Sequence, residues 1–166
     1  MFGVSSTPLS KCHRTESGAS LLNYRVRIAS YFPIAQAKLD LIAALEATST
    51  LEYTVVLNGY FADAWVAPKV KSYQDPMALV VDIPNEFAAI PGSGNELVVF
   101  THTFDIARFV ALLIGAPKWD KESYIIGDKI SWNQFLQIAE EAKGVKFAVK
   151  NDSIEVLKQG KITELP

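Results

Sequence analysis

The sequence has 166 residues, of which 49% are hydrophobic and 20% charged, which is the size and composition of one globular domain. The net charge is −2, and Lys and Arg are scattered singly, so no basic stripe is present to bind a nucleic-acid backbone. The apolar stretches are far shorter than the roughly 20 residues that cross a bilayer, so we expect no membrane partner.

The N-terminal segment, residues 1–23, is rich in Ser, Gly and other polar residues without a helical or strand period. This composition predicts a loop or a poorly ordered start. The segment lacks the charged region, apolar run and cleavage site of a secretory signal. Cys12 is the single cysteine of the sequence, which excludes an intramolecular disulfide. We therefore expect a cytoplasmic protein whose domain spans residues 24–166.

The first predicted helix begins at Pro33 and extends to about Ala47, because proline suits a first helical turn and the segment is dense in Ala and Leu. Lys38 lies within the apolar stripe of this helix, one turn after Ile34. A lysine in that position either extends its ammonium to water along its own methylene stem or has a polar partner in a cleft. The apolar members of the stripe are Ile34, Leu41, Ile42 and Leu45.

Short strand patterns follow this helix. Leu51 to Leu57 alternates and is rich in β-branched residues, and a helix followed by a buried strand favours an α/β architecture. Further strands are predicted at Ala78–Ile83, Ala88–Ile90 and Leu97–Phe100, with turns at Pro84-Asn85 and at residues 91–95.

A helix is predicted from Ile106 to Ile114. Either Asp105 or Thr103 is expected to cap it, and Gly115 is placed where a left-handed residue would end it. A brief strand at residues 124–126 is predicted to follow.

The Ser131 segment has the clearest helix signals in the sequence. Ser131 and Gln134 form a capping-box pattern, and Gly144 stands at the position of a helix end. A strand at Val145–Val149 and a short helix opened by Asp152 and closed by Gly160 are predicted to complete the chain.

Searches for catalytic and metal-binding motifs are mostly negative. Cys12, His13 and His102 match no zinc spacing, and the sequence has neither a G-x-S-x-G elbow nor a Walker loop. Residues 92–94 begin a G-x-G pattern without the third glycine or a following helix, which predicts a turn. His102 is interpreted as a strand-end residue near a helix cap. Glu140 and Glu141 are interpreted as part of a solvated helix face.

Several strings in one order along the chain resemble the NmrA-like family of atypical short-chain dehydrogenases, which is related to isoflavone reductases. The resemblance covers most of the chain from Tyr31 onward. The strings are Ala37-Lys38, Leu51-Glu52-Tyr53-Thr54, Asn58-Gly59-Tyr60-Phe61, residues 89–95, residues 100–110, Gly127-Asp128, Trp132-Asn133 and residues 162–166.

The resemblance implies a partial Rossmann-type NAD(P)-binding fold with a small substrate-side α/β subdomain. It further implies an NADP(H)-dependent oxidoreductase that acts on a small organic molecule. Lys38 would reach the cofactor ribose and the reacting centre, and Asn58, Gly59 and Phe61 would line the nicotinamide and substrate pocket. Two alternatives stay open: a non-catalytic NAD(P)-sensing co-regulator of transcription, and an inactive fragment.

The sequence departs from the family pattern in two places. Ile34 occupies the position of the proton-donating tyrosine of classical short-chain dehydrogenases, and Tyr31 lies nearly two helical turns from Lys38. No strand leads into a G-x-G-x-x-G turn, so the N-terminal nucleotide-binding half of the fold is expected to be missing. We therefore expect weak or no NADP binding, and self-association through an uncovered sheet edge.

Overall fold

The computed structural model describes residues 33–67 and 69–166, which fall into two compact units that divide after Glu46. The predictions for residues 1–32, including those on Cys12, His13 and Tyr31, lie outside the described residues. The first unit contains helix α1 (Pro33–Glu46), which begins at the predicted proline and includes Lys38. The Lys38 side chain is exposed. Leu41 is also 61% exposed, so the apolar stripe of α1 is only partly covered.

The second unit is built from short strands and helices. The strands are β1 (Val55–Leu57), β2 (Tyr60–Phe61), β3 (Val81–Asp82), β4 (Phe87–Pro91), β5 (Leu97–Thr101), β6 (Glu122–Tyr124), β7 (Asp128–Ser131) and β8 (Ala148–Asp152). The helices are a 3-10 helix (Ala62–Trp65), α2 (Thr103–Ile114), α3 (Trp132–Lys143) and α4 (Ile154–Lys158).

The described strands form three small sheets, one parallel and two of mixed direction. Strands β1 and β6 pair in parallel. Strand β5 pairs in parallel with β2 and antiparallel with β7, while β4 pairs antiparallel with β3 and in parallel with β8. The predicted α/β class is confirmed by this mixture of helices with parallel and antiparallel pairs.

An aromatic cluster forms the core of the second unit. Trp65, Phe100 and Trp132 are each at most 6% exposed, and their ring centroids lie 5.3 to 5.8 Å apart. Phe135 stacks on Phe100 at 5.0 Å. The cluster therefore joins the 3-10 helix, β5 and α3 through edge and stacking contacts, which add to the gain from apolar burial.

The predicted capping box of α3 is confirmed. The Ser131 hydroxyl accepts the Gln134 N–H, and the Gln134 side chain accepts the Ser131 N–H. Trp132 and Leu136 face the core, and Gly144 ends the helix with a left-handed φ of 72°. The turn at residues 91–95 is also confirmed, with positive φ at Gly92 and Gly94.

Several predicted strands have different bounds. Within the strand predicted at Leu51–Leu57 only β1 forms, and within the strand predicted at Ala78–Ile83 only β3 forms. Val80 has a φ of 65°, and the Val81 N–H binds the Leu79 carbonyl, so a tight turn interrupts that strand. The strand predicted at residues 124–126 lies at β6, and that predicted at residues 145–149 lies at β8.

Two predicted helix caps, the predicted conformation of Gly115 and the predicted exposure of Glu140 were wrong, whereas Glu141 is exposed as predicted. His102 caps α2 instead of Thr103 or Asp105. The helix ends at Gly115 as predicted, but Gly115 has an ordinary φ of −81° and is not left-handed. Ser153 caps α4 instead of Asp152, because the Asp152 carboxylate accepts hydrogen bonds from the N–H and hydroxyl of Thr163.

Glu140 is buried, and its carboxylate accepts hydrogen bonds from the Phe147 N–H and the Lys146 ammonium. Among the described residues, no helix is long and apolar enough to span a membrane.

Candidate functional site

The carboxyl ends of three strands meet at one place in the second unit. The Thr101 hydroxyl, at the end of β5, donates to the Asn58 carbonyl just after β1 at 2.9 Å. It accepts the N–H of Gly127, shortly after β6, at 3.1 Å. We call these segments, Asn58–Phe61, Thr101–His102 and Ile125–Gly127, the strand-end junction. Open α/β sheets bind ligands beyond the carboxyl ends of their strands, so the junction is the candidate site.

Asn58 and Gly59 directly follow β1, as the strand pattern predicted, and they form part of this junction. The Asn58 side chain is half-buried, and its Nδ2 donates to the Gly59 carbonyl at 3.0 Å. Gly59 has a φ of +69°, and a Cβ there would lie 2.2 Å from the Val99 carbonyl oxygen. The close approach of this segment to β5 is therefore sufficient to explain why position 59 requires a glycine.

Tyr60 and Phe61 point to opposite sides of β2. The Tyr60 ring packs on Trp65, Phe100 and Trp132, and burial raises the pKa of its phenol. Phe61 is 38% exposed. Because side chains alternate along a strand, the apolar Phe61 ring is open to solvent within the junction, where it could contact a ligand.

His102 follows Thr101 and caps α2. Its Nδ1 accepts the Phe104 N–H at 3.1 Å, so this nitrogen carries no proton in the cap. The imidazole also lies against the Phe104 ring at 5.3 Å. The sequence interpretation of His102 as a strand-end residue near a cap is confirmed, and the residue is itself the cap.

The sequence analysis missed Asp63, a carboxylate of the 3-10 helix that is 1% exposed. It accepts the Ser72 hydroxyl at 2.5 Å and the N–H and hydroxyl of Thr103 at 2.9 and 2.6 Å. Burial raises the pKa of this carboxyl, but the hydrogen bonds outweigh burial and lower it from 3.8 to about 2. Asp63 therefore anchors the start of α2 as an anion. Its partners lie 9 and 40 residues away, so no local pattern reveals them.

The glycine-containing turn at residues 91–95 is occupied by side chains of the protein and leaves no space for a ligand. The Asn133 Nδ2 donates to the Ser93 carbonyl at 3.0 Å, and a Cβ at Gly94 would lie 2.4 Å from Ile90. The turn therefore packs on the start of α3, as a structural turn does. In the described part of the chain no group of His, Cys, Asp and Glu is arranged to hold a metal ion.

Comparison with known proteins finds relatives that are named oxidoreductases. Oxidoreductase BOA1 of Botryotinia fuckeliana is 38% identical over 110 residues, which cover 66% of this chain and 37% of that protein. Oxidoreductase swnN of Metarhizium robertsii is 32% identical over 133 residues, covering 78% of this chain and 39% of that protein. The chain thus spans about two fifths of these relatives' length. No protein-family model matches the sequence.

Solved structures share the fold at low sequence identity. AtPrR2, solved with NADP+ and (+)pinoresinol, has a TM-score of 0.52 and 20% identity over 75% of this chain and 39% of its own. TunA, an NAD-dependent NDP-hexosamine 5,6-dehydratase, has a TM-score of 0.53 and 19% identity over 80% of this chain and 43% of its own. The fold is therefore similar to that of NAD(P)-binding, Rossmann-like enzymes.

Proposed function

We propose that this chain is the substrate-side part of an NADP(H)-dependent oxidoreductase of the NmrA-like, isoflavone-reductase-like type, acting on a small organic molecule. The observation that supports this most is the strand-end junction, because Asn58–Phe61 lie beyond the end of β1, where open α/β sheets bind ligands. The oxidoreductase names of the relatives agree with this chemistry.

The junction offers groups that suit a nicotinamide ring. Asn58 Nδ2 is bound to Gly59, but Asn58 Oδ1 has no hydrogen-bond partner among the described residues, so it can accept an amide N–H. Phe61 offers an apolar ring, and Gly59 leaves backbone uncovered. When bound, the reduced nicotinamide would supply the hydride.

Lys38 is proposed as the electrostatic group of the reaction. Its ammonium would hydrogen-bond the ribose hydroxyls and stabilise negative charge that develops on a carbonyl oxygen. Lys38 belongs to the first unit, and its meeting with Phe61 at one concavity stays a prediction. The missing tyrosine at position 34 means that another group or water must supply the proton to the product oxygen.

The proposed partner for assembly is a second copy of this chain, or another polypeptide segment, that adds a strand to the sheet of β1 and β6. Strand β1 pairs with β6 on one side, and no other described strand pairs with it. An unpaired edge carries free N–H and C=O groups that favour the addition of a strand. We therefore propose that the expected self-association occurs through this edge of β1.

The activity is tested by following NADPH oxidation with a panel of aldehydes and ketones at millimolar NADPH. We expect Lys38→Met to lower the rate about tenfold or more, because the variant loses the stabilising cation. Lys118→Met, at an exposed lysine between α2 and β6, is the matched control and should leave the rate unchanged.

Each other outcome has a distinct meaning for the proposal. Equal rates for Lys38→Met and the unchanged chain would remove Lys38 from the site. NADPH binding at the junction without oxidation by any carbonyl compound would favour the non-catalytic sensor. If the chain shows neither binding nor oxidation at millimolar NADPH, the result would contradict activity of this chain and favour the inactive fragment.

A further inference from the structure

Thr101 is a polar residue at one of the most buried positions of the second unit. It ends β5, pairs with Phe61 of β2 and is 1% exposed. A buried hydroxyl is costly unless its hydrogen bonds are made, so its partners define what it does. Both of its close partners are backbone groups in other segments, at Asn58 and Gly127.

The two hydrogen bonds have defined directions. The hydroxyl has one proton, and the Asn58 carbonyl at 2.9 Å is a better acceptor for it than the Ile125 carbonyl at 3.5 Å. The hydroxyl oxygen then accepts the Gly127 N–H at 3.1 Å. One side chain thus connects the segment after β1 to the segment after β6.

Two glycines permit this arrangement. A Cβ at Gly59 would lie 2.2 Å from the Val99 carbonyl oxygen, and a Cβ at Gly127 would lie 2.7 Å from the Phe100 carbonyl oxygen. Both segments therefore press on the backbone of β5 more closely than any residue with a side chain could. Their approach brings them within hydrogen-bonding distance of the same hydroxyl.

We infer that Thr101 is a positioning residue, whose hydroxyl sets the Asn58–Gly59 segment against the Ile125–Gly127 segment and so fixes the shape of the strand-end junction. It acts through backbone and touches no ligand itself. The effect of Thr101 on ligand binding rests on the proposed function, because displacement of Asn58 by even about 1 Å would strongly weaken the binding of a nicotinamide. The placement of the two segments is testable without any ligand.

The first experiment measures amide chemical shifts and hydrogen exchange by NMR in three variants. Thr101→Val keeps the side-chain shape and removes the hydroxyl, while Thr101→Ser keeps the hydroxyl. Thr54→Val is the matched control, because Thr54 shares a hydrogen bond of 2.8 Å with Ser123 near the opposite end of β1 and β6. We expect Thr101→Val to shift the amides of residues 58–61 and 125–127 and to speed exchange at Gly127 about tenfold.

Thr101→Ser should restore the shifts and the exchange rate, and Thr54→Val should leave residues 58–61 unchanged. Unchanged amides in Thr101→Val, or the same pattern in Thr54→Val, would overturn the inference. If Thr101→Val does not fold, Thr101→Ser tests the inference instead. Chemical-shift changes in Thr101→Ser that avoid residues 58–61 and 125–127 would support the inference. Changes at those residues, although the hydroxyl is retained, would overturn it.

The second experiment titrates NADP+ to millimolar concentration into the same proteins. We expect shift changes at residues 58–61 in the unchanged chain and in Thr101→Ser, and at least a tenfold weaker response in Thr101→Val. A response in Thr101→Val equal to that of the unchanged chain would overturn the inference. No response in the unchanged chain would instead contradict the proposed function, and the amide shifts of the first experiment still decide the role of Thr101.

Discussion

Asp63 shows at the scale of one residue how burial and hydrogen bonding oppose each other. Its pKa in the folded chain is about 2, below the ordinary value of 3.8, so the folded state binds this proton more weakly than the unfolded state. The stabilisation is therefore fully present above about pH 4 and is lost as the pH falls towards 2. A shift of this size corresponds to about 2 kcal/mol.

Asp63→Asn tests this linkage. The amide has one acceptor oxygen for three donors, so we expect the variant to lose about 2 kcal/mol of unfolding free energy at pH 7. The difference from the unchanged chain should shrink between pH 4 and pH 2, in urea denaturation at a series of pH values. A difference that stays constant down to pH 2 would show that Asp63 is not an anion in the folded state.

Gly59 and Gly144 separate two reasons for a glycine. Both have φ near +70°, but a Cβ at Gly59 would meet the Val99 carbonyl, whereas a Cβ at Gly144 has nothing within 4 Å. Gly144→Ala should cost only the left-handed conformation, about 1 to 2 kcal/mol. Gly59→Ala should cost clearly more, because β5 must also move. Equal denaturation midpoints for the two variants would contradict the close packing of Gly59 on β5.

Among the secondary-structure elements, α3 could be predicted because its signals are local. Ser131, Gln134 and Gly144 act within the helix that they bound. The bounds of β3 could not be predicted, because the Trp65 indole N–H binds the carbonyls of both Leu79 and Val81, 14 and 16 residues along the chain. The position of Asn58–Phe61 beyond β1 followed from its strand pattern, whereas Thr101 gains its role from partners 43 and 26 residues away.

The cap of α3 provides a prediction at the same scale. Ser131→Ala removes the acceptor of the Gln134 N–H and should lower the unfolding free energy by about 1 kcal/mol. Ser49→Ala, at an exposed position outside the helices, is the control and should be neutral. The measurement is the urea midpoint of both variants. An unchanged midpoint for Ser131→Ala would argue that the cap contributes nothing in solution.

The whole second unit leaves apolar surface uncovered. Helix α2 is apolar on most of its circumference, yet none of its residues is buried, and Leu112 and Ile114 are 73% and 68% exposed. Helices that are apolar all round are normally buried. Together with the side of β1 on which no described strand pairs, this surface provides a physical reason for the association that the sequence analysis expected.

Cofactor affinity is a property of the whole molecule, because a dinucleotide needs both a nicotinamide pocket and a pyrophosphate site. Among the described residues, no glycine-rich turn leads from a strand into a helix, and the turn at residues 92–94 is filled by Asn133. Backbone donors at such a helix start each contribute about 1.5 to 3 kcal/mol to binding an anion. We therefore expect calorimetric titration of the 166-residue chain with NADPH to show binding weaker than micromolar, by a chain that self-associates in sedimentation. Micromolar or tighter binding by a monodisperse monomer would show that this chain retains a complete cofactor site.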